Sequence, residues 1–255
     1  MITSLANAKV KYVRRLQNER RFRTREQAFV VEGSRWLTEF RQSAQSPRLI
    51  LHTAAWQDHH ASILQQLNVP SQLVSEEVMA AISDTETPAG VLAIVPIRPQ
   101  PLPKQPTLLL ILDSVTNPGN LGTMLRSASA AGADGVLLGP GCVDAYNPKV
   151  VRGSMGTHLR LPIHHVTWDE VTQIVGGLAV WVATADGDIP YTAVSWQQPS
   201  AIIIGDEANG PGPEAMALAN YRIAIPMHGQ TESLNAAVAA SVMLFEAARQ
   251  RQKSN

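Results

Sequence analysis

The sequence predicts an α/β fold in two parts, a parallel-sheet domain in the second half of the chain and a smaller α/β domain ahead of it. Three observations carry that expectation. Short β-rich apolar runs after residue 107 alternate with helical patterns, the mark of a sheet covered by helices on both faces. The stretch RPQPLPKQP at 98–106 holds four prolines in nine residues; proline lacks a backbone donor and favours extended chain, so this reads as a linker. The composition, 45% hydrophobic and 5% aromatic over 255 residues, excludes disorder and fits one or two globular domains. The expected division is therefore 1–97, a linker at 98–106, and 107–255.

Taken in order, the first domain starts with an amphipathic segment through Leu16, a strand at 29–32 and a helix from Ser34. A strand at 49–51, a helix near 61–67, a short strand at 72–74, a helix near 76–82 and a strand at 90–95 complete it. After the linker, strands are expected at 108–112, 135–138, 161–164, 179–183, 201–204 and 221–225, and an alanine-rich last helix at about 233–250. In a parallel sheet ligands collect beyond the carboxyl ends of the strands, so the loops after these runs are where chemistry belongs.

Charge is balanced overall, with 21 Lys/Arg and 21 Asp/Glu, but unevenly placed. Residues 1–53 hold 11 basic and 4 acidic groups, leaving 10 and 17 for the rest. Lys9, Lys11, Arg14, Arg15, Arg20, Arg21, Arg23 and Arg25 face only Glu19 within 9–25. Such a segment is either a solvated helix face or an electrostatic footprint for a phosphate backbone. No apolar run approaches the roughly 20 residues of a membrane span. The N-terminus lacks the apolar stretch of a secretory signal. The single cysteine, Cys142, fits a reducing, cytoplasmic setting.

Three strand ends carry polar residues. The first, DSVTNPGNLGTMLR from Asp113, offers Asn120 as a helix N-cap, glycines that permit close approach, and Arg126 among the apolar neighbours Met124, Leu125 and Ala128. The second, IIIGDEANGPGPE, ends a buried strand in Gly205, Asp206 and Glu207, which either cap the next helix or belong to a site. The third, IPMHGQTESLNAAVA (225–239), clusters Glu232, Ser233 and Asn235 at the start of the last helix, with Ser233 the simple N-cap candidate. Three glycine-containing polar strand ends in one domain point to a shared crevice. No GxGxxG after a strand, no GxxxxGK[ST] and no GxSxG is present, which removes support for a nicotinamide enzyme, a phosphate-loop NTPase and an ordinary hydrolase. One cysteine and no HExxH spacing leave the pairs His59/His60 and His164/His165 as surface or strand-end residues, with no metal expected.

Together the segments NLGTMLR (120–126), IIIGDEANG (202–210) and IPMHGQTESLNAAVA resemble, in order and spacing, the three motifs of the SpoU (TrmH-like) family of S-adenosylmethionine-dependent RNA ribose 2′-O-methyltransferases. KVKYVRRLQNERRFRTREQAFVVEG, from Lys9, resembles the start of that family's ribosomal-protein-like RNA substrate-binding domain. The resemblance implies a methyltransferase domain with a C-terminal trefoil knot, S-adenosyl-L-methionine as cofactor and a homodimer whose site draws on both subunits. It implies cofactor contacts at Gly205, Ile225, Met227 and Leu234. It implies a catalytic set of Asn120, Arg126, Glu207, Ser233 and Asn235, with Asn120 and Glu207 fixing Arg126 and the ribose, and RNA contacts at Lys9, Lys11, Arg20, Arg21, Arg23 and Arg25. The chain departs from the family pattern at Ala237, where serine is common, and at Asp206. The expected substrate is structured RNA, ribosomal before transfer RNA. The alternatives are a transfer-RNA enzyme, a catalytically silent RNA-binding or ribosome-assembly protein of the same fold, and a small-molecule methyltransferase that would leave the basic segment without a purpose.

Overall fold

Apolar residues at helical spacing build the first elements. The computed structural model describes residues 1–229 and 232–252. Helix α1 (Ala8–Asn18) is capped by the Asn7 side chain, which accepts from the Lys9 N–H, and turns Val10, Val13 and Leu16 inward while its basic residues stay outside. The chain then forms a second helix, α2 (Arg20–Glu26), between the amphipathic first segment and the first strand. The arginines mask its amphipathic spacing, because one of them, Arg23, is an inward-facing residue.

The first unit continues through β1 (Ala28–Glu32), α3 (Ser34–Phe40), β2 (Leu49–His52), α4 (Ala54–Leu67), β3 (Ser71–Leu73), α5 (Glu76–Ile82) and β4 (Val91–Pro96). Its sheet has the order β1-β4-β2-β3, with only the β2–β3 pair parallel. Helix α4 starts a full two turns before the expected helix, because Thr53 caps it by accepting from the Trp56 N–H, and it kinks at His60.

The second unit comprises β5 (Leu108–Leu112), α6 (Pro118–Ala130), β6 (Gly135–Leu138), β7 (Ile163–His165), α8 (Trp168–Ile174), β8 (Ala179–Ala183), β9 (Ile189–Pro190), β10 (Ser200–Ile204), α9 (Pro213–Leu218), β11 (Tyr221–Ala224) and the last helix, α10 (Ala236–Gln252); α7 (Pro148–Ser154) is described below. Every pairing in its sheet is parallel and the order is β7-β6-β5-β10-β8-β11-β9. All residues of β5, β6 and β10 are buried, as continuous apolar strands covered on both faces require. Val171 of α8, Val175 at its C-terminal cap and Ala215 of α9 cluster with Leu109, Ile111 and Ile203. Helix α6 packs on β6 and on α10, where the Ser127 and Ser241 hydroxyls bond at 2.7 Å. Strand β9 has only two residues, too short for a periodic signal.

The first unit comprises residues 1–98 and 146–159 and the second 99–145 and 160–255, so most of the proline-rich stretch goes with the second unit while 146–159 belong to the first. That segment holds α7 (Pro148–Ser154) and a short 3-10 turn (Thr157–Leu159). Val151 and Leu159 are buried against Phe29, Trp36 and Leu37, Tyr146 packs 5.0 Å from the Phe29 ring, and Arg152 pairs with Asp84. Its apolar groups thus find their partners in residues far earlier in the chain, which no local pattern discloses.

Candidate active site

The carboxyl ends of β8, β10 and β11 surround a cavity of about 490 Å³. Ile204 and Gly205, Ile225, Met227 and Leu234 form much of its wall, so the four positions expected to touch a cofactor line one space. Its size falls in the ordinary range for small-ligand sites. Gly205 is required there: a Cβ would lie 2.2 Å from the Pro211 nitrogen and 2.3 Å from the Gly210 carbonyl carbon.

Asp206 folds the loop after β10 on itself. One oxygen, Oδ2, accepts from the Ala208 and Asn209 N–H groups, each at 3.1 Å, and from the Asn209 amide at 3.0 Å, while the Gly210 N–H donates to the Asp206 carbonyl at 3.0 Å. Burial pushes the Asp206 carboxyl up, but these donors together outweigh it and hold it below the usual carboxylate range. The unusual residue of the second motif is therefore the staple of its loop.

The first motif differs from expectation at its start. Helix α6 begins at Pro118, and its N-cap is Asn117, whose Oδ1 accepts from Gly119 N at 2.8 Å and Asn120 N at 3.3 Å. Proline at the first helical position needs no donor, which moves the cap earlier than Asn120. Asn120 is thereby freed for other partners. Its amide Nδ2 donates to Glu207 Oε1, and its Oδ1 accepts from Asn235 Nδ2 at 3.1 Å. One residue from each of the three motifs meets at this point.

Asn235 also caps α10, its Oδ1 accepting from Ala237 N at 2.9 Å and Val238 N at 3.3 Å, so Ser233 is not the cap. Ser233 is exposed on the cavity wall instead. Of the third motif, Gln230 and Thr231 lie outside the described residues. Arg126 is exposed on α6, beside buried Met124, Leu125 and Ala128, and its side chain makes no hydrogen bond or ion pair among the described residues. The expected hold of Asn120 and Glu207 on Arg126 is thus not formed: the Glu207 carboxylate takes its hydrogen bond from Asn120.

Two charged residues of the cavity go beyond the sequence reading. Asp186, after β8, pairs with Arg222 of β11 at 2.5 Å, and that guanidinium holds its carboxyl below the usual range. The rule of carboxyl strand ends, applied to β8 as to the other strands, is the signal that could have found Asp186.

In the first unit, Lys9, Lys11, Arg20 and Arg21 are exposed. Arg25 is exposed as well, paired with Glu26 at 2.9 Å and stacked over Phe22 at 4.8 Å. Arg23 corrects the expectation. It is 3% exposed, and its Nη1 donates to the Leu16 carbonyl at 2.7 Å and the Gln17 carbonyl at 2.9 Å. A guanidinium spent on the end of α1 is structural and cannot meet a phosphate.

Fold and cleft define a two-unit α/β protein with a ligand cavity at the carboxyl edge of a parallel sheet. The model of the SpoU rRNA Methylase family matches residues 107–245, and that of an MRM3-like substrate binding domain matches 7–93. The chain is 30% identical to the 23S rRNA (guanosine(2553)-2′-O)-methyltransferase RlmP of Bacillus subtilis, covering 96% of this chain and 97% of the relative. It is similar in structure to AviRb, a SpoU methyltransferase of Streptomyces viridochromogenes crystallised with the cofactor AdoMet, with a TM-score of 0.86, 28% identity and coverage of 97% and 100%. An AdoMet-bound rRNA methyltransferase from Sinorhizobium meliloti superposes with a TM-score of 0.87, at 28% identity and 97% coverage of both chains. The chain belongs to the SpoU rRNA methylase family.

Proposed function

We propose that this protein transfers a methyl group from S-adenosyl-L-methionine to a ribose 2′-hydroxyl of structured RNA, ribosomal RNA before transfer RNA. The observation that carries the reading is the junction of Asn120, Glu207 and Asn235, one residue from each motif, in the unit whose cavity is walled by Gly205, Ile225, Met227 and Leu234. The relatives' names favour ribosomal RNA. The cofactor would be held by those four wall residues, and the bare backbone at Gly205 is the close approach that such a ligand needs. When bound it supplies an electrophilic methyl on a sulfonium that leaves as a neutral thioether.

The chain's own residues then have two tasks, alignment and charge. Asn120, pinned from both sides, and Glu207 orient the ribose, and Ser233 on the wall completes the nucleotide contacts. Positioning of this kind can supply up to roughly 7–11 kcal/mol of a barrier in favourable systems. Arg126, whose guanidinium has donors and no acceptor, is unsuited to act as a literal base. Its exposed guanidinium holds the neighbouring phosphate and hydroxyl, while that phosphate or water takes the proton. Lys9, Lys11, Arg20, Arg21 and Arg25 gather the RNA backbone.

The division into an RNA-binding domain and a catalytic domain joined at 98–106, the trefoil knot after Ala201, the homodimer and the cytoplasmic location belong to the same proposal. The knot rests on the family resemblance and would be a rare exception to un-knotted chains. Dimerisation is supported by Val238 and Phe245, seven residues apart on α10 and 47% and 50% exposed. It would let Arg126 act across the interface. No helix among the described residues is long and apolar enough to cross a membrane.

The test is methyl transfer from labelled cofactor to ribosomal RNA, with 2′-O-methyl mapping in a strain lacking the protein. A missing ribose methylation that the purified protein restores is the expected result. Cofactor binding that is absent by calorimetry would favour the silent RNA-binding protein.

A further inference from the structure

Beyond the motif residues, one buried carboxylate joins the loop that leads into α6, the helix of Asn120, to the loop that carries Glu207. Asp113 directly follows β5 and is 5% exposed. Its backbone N–H donates to the Ile204 carbonyl at 2.9 Å, at the start of the 205–212 loop. Its Oδ2 accepts from the Gly212 N–H at 2.6 Å, at the end of that same loop. A single residue therefore grips the loop at both ends. Its other oxygen accepts from the Ser114 hydroxyl at 3.2 Å, and Ser114 sits in the left-handed region at φ +57°, where the first-motif loop turns towards α6.

The loop it grips is tied together internally. Asp206 staples residues 208–210, and Gly205 lies too close to Gly210 and Pro211 to admit a Cβ. A stapled loop moves as one body, so its placement is decided at its ends. Both the wall of the cavity, formed by 204–211, and the reach of Glu207 to Asn120 are fixed by where that body sits. We infer that Asp113 is a positioning residue for the reaction: through Gly212 it sets the loop that shapes the cofactor cavity and presents Glu207 to Asn120. This inference rests on the proposed function for its kinetic consequence, but not for its structural one.

The test compares Asp113→Ala and Asp113→Asn with wild type by calorimetry with S-adenosylmethionine, methyl-transfer kinetics, RNA affinity and amide hydrogen exchange over 205–212 without ligand. A buried hydrogen bond to a charged group is worth enough to shift cofactor affinity, kcat and loop exchange about 10- to 100-fold. Asp113→Ala is expected to speed exchange over 205–212 and weaken cofactor binding and kcat by that factor, with RNA affinity unchanged. Asp113→Asn keeps an acceptor for Gly212 and is expected to restore most of both; it also serves if the alanine variant does not fold. Unchanged exchange over 205–212 in Asp113→Ala would overturn the inference, as would an asparagine variant as impaired as alanine. So would a loss of RNA affinity in step with the rest. Wild-type protein that neither binds the cofactor nor methylates RNA would sink the functional reading alone, since the exchange comparison still decides the role of Asp113.

Discussion

Asn120 is held by Glu207 on one side and by Asn235 on the other, so its replacement unmakes a hydrogen bond to each of two other motifs. Asn120→Ala should lower kcat by roughly 30-fold, the equivalent of about 2 kcal/mol for a hydrogen bond to a charged partner, with cofactor affinity nearly preserved. Arg126→Ala should abolish turnover and leave cofactor binding intact; wild-type turnover in that variant would remove Arg126 from the mechanism. At Gly205 the expected effect is reversed, because alanine there must displace the backbone at Gly210 and Pro211. Gly205→Ala should lose cofactor binding by calorimetry before any chemical step is reached. Asp206 gives a pH dependence with a defined sign. Its folded-state value lies below the ordinary one, so its contribution to stability is complete at neutral pH and is lost as the pH falls through the folded-state value. Melting temperature measured from neutral to acid pH should therefore fall less steeply in Asp206→Asn than in wild type.

At the scale of elements, the central strands of the second unit are legible because a strand buried on both faces is a continuous apolar run, and β5, β6 and β10 fall within a residue of their expected bounds, as does the half-buried β8. The site is legible in outline for a related reason: glycine and polar residues gather where such runs stop. Helix starts are less legible, since Asn117 and Asn120 are equally good caps in isolation and only the proline between them decides. The role of Arg23 is hidden because composition counts charges without their direction. Arg23→Ala should accordingly destabilise the first unit by about 2–3 kcal/mol, seen as a lower urea midpoint, by leaving the Leu16 and Gln17 carbonyls without their donor. Helix α10 makes a separate statement. If its exposed Val238 and Phe245 meet a second copy, Phe245→Asp should convert dimers to monomers in sedimentation velocity while the isolated fold is retained.

For the whole molecule, the balanced net charge conceals a basic first segment and an acidic remainder, and of the six residues of that segment expected to meet RNA, Lys9, Lys11, Arg20, Arg21 and Arg25 are exposed. Neutralising Lys11, Arg20 and Arg21 together should weaken RNA binding at low salt and flatten its dependence on salt, the slope falling by about one for every phosphate that no longer meets a cation. What sequence could not disclose at this scale is the recruitment of residues 146–159 into the first unit, because Val151 and Leu159 answer to Phe29 and Trp36 more than a hundred positions earlier. The function proposed for the molecule stands on three distant segments closing around one cofactor. A crystal structure of the protein with S-adenosylmethionine tests this most directly. The expected result is the cofactor against Gly205, Ile225, Met227 and Leu234 with its methyl group facing the Asn120–Glu207 pair; a cofactor bound elsewhere, or a methyl group facing away from that pair, would contradict it.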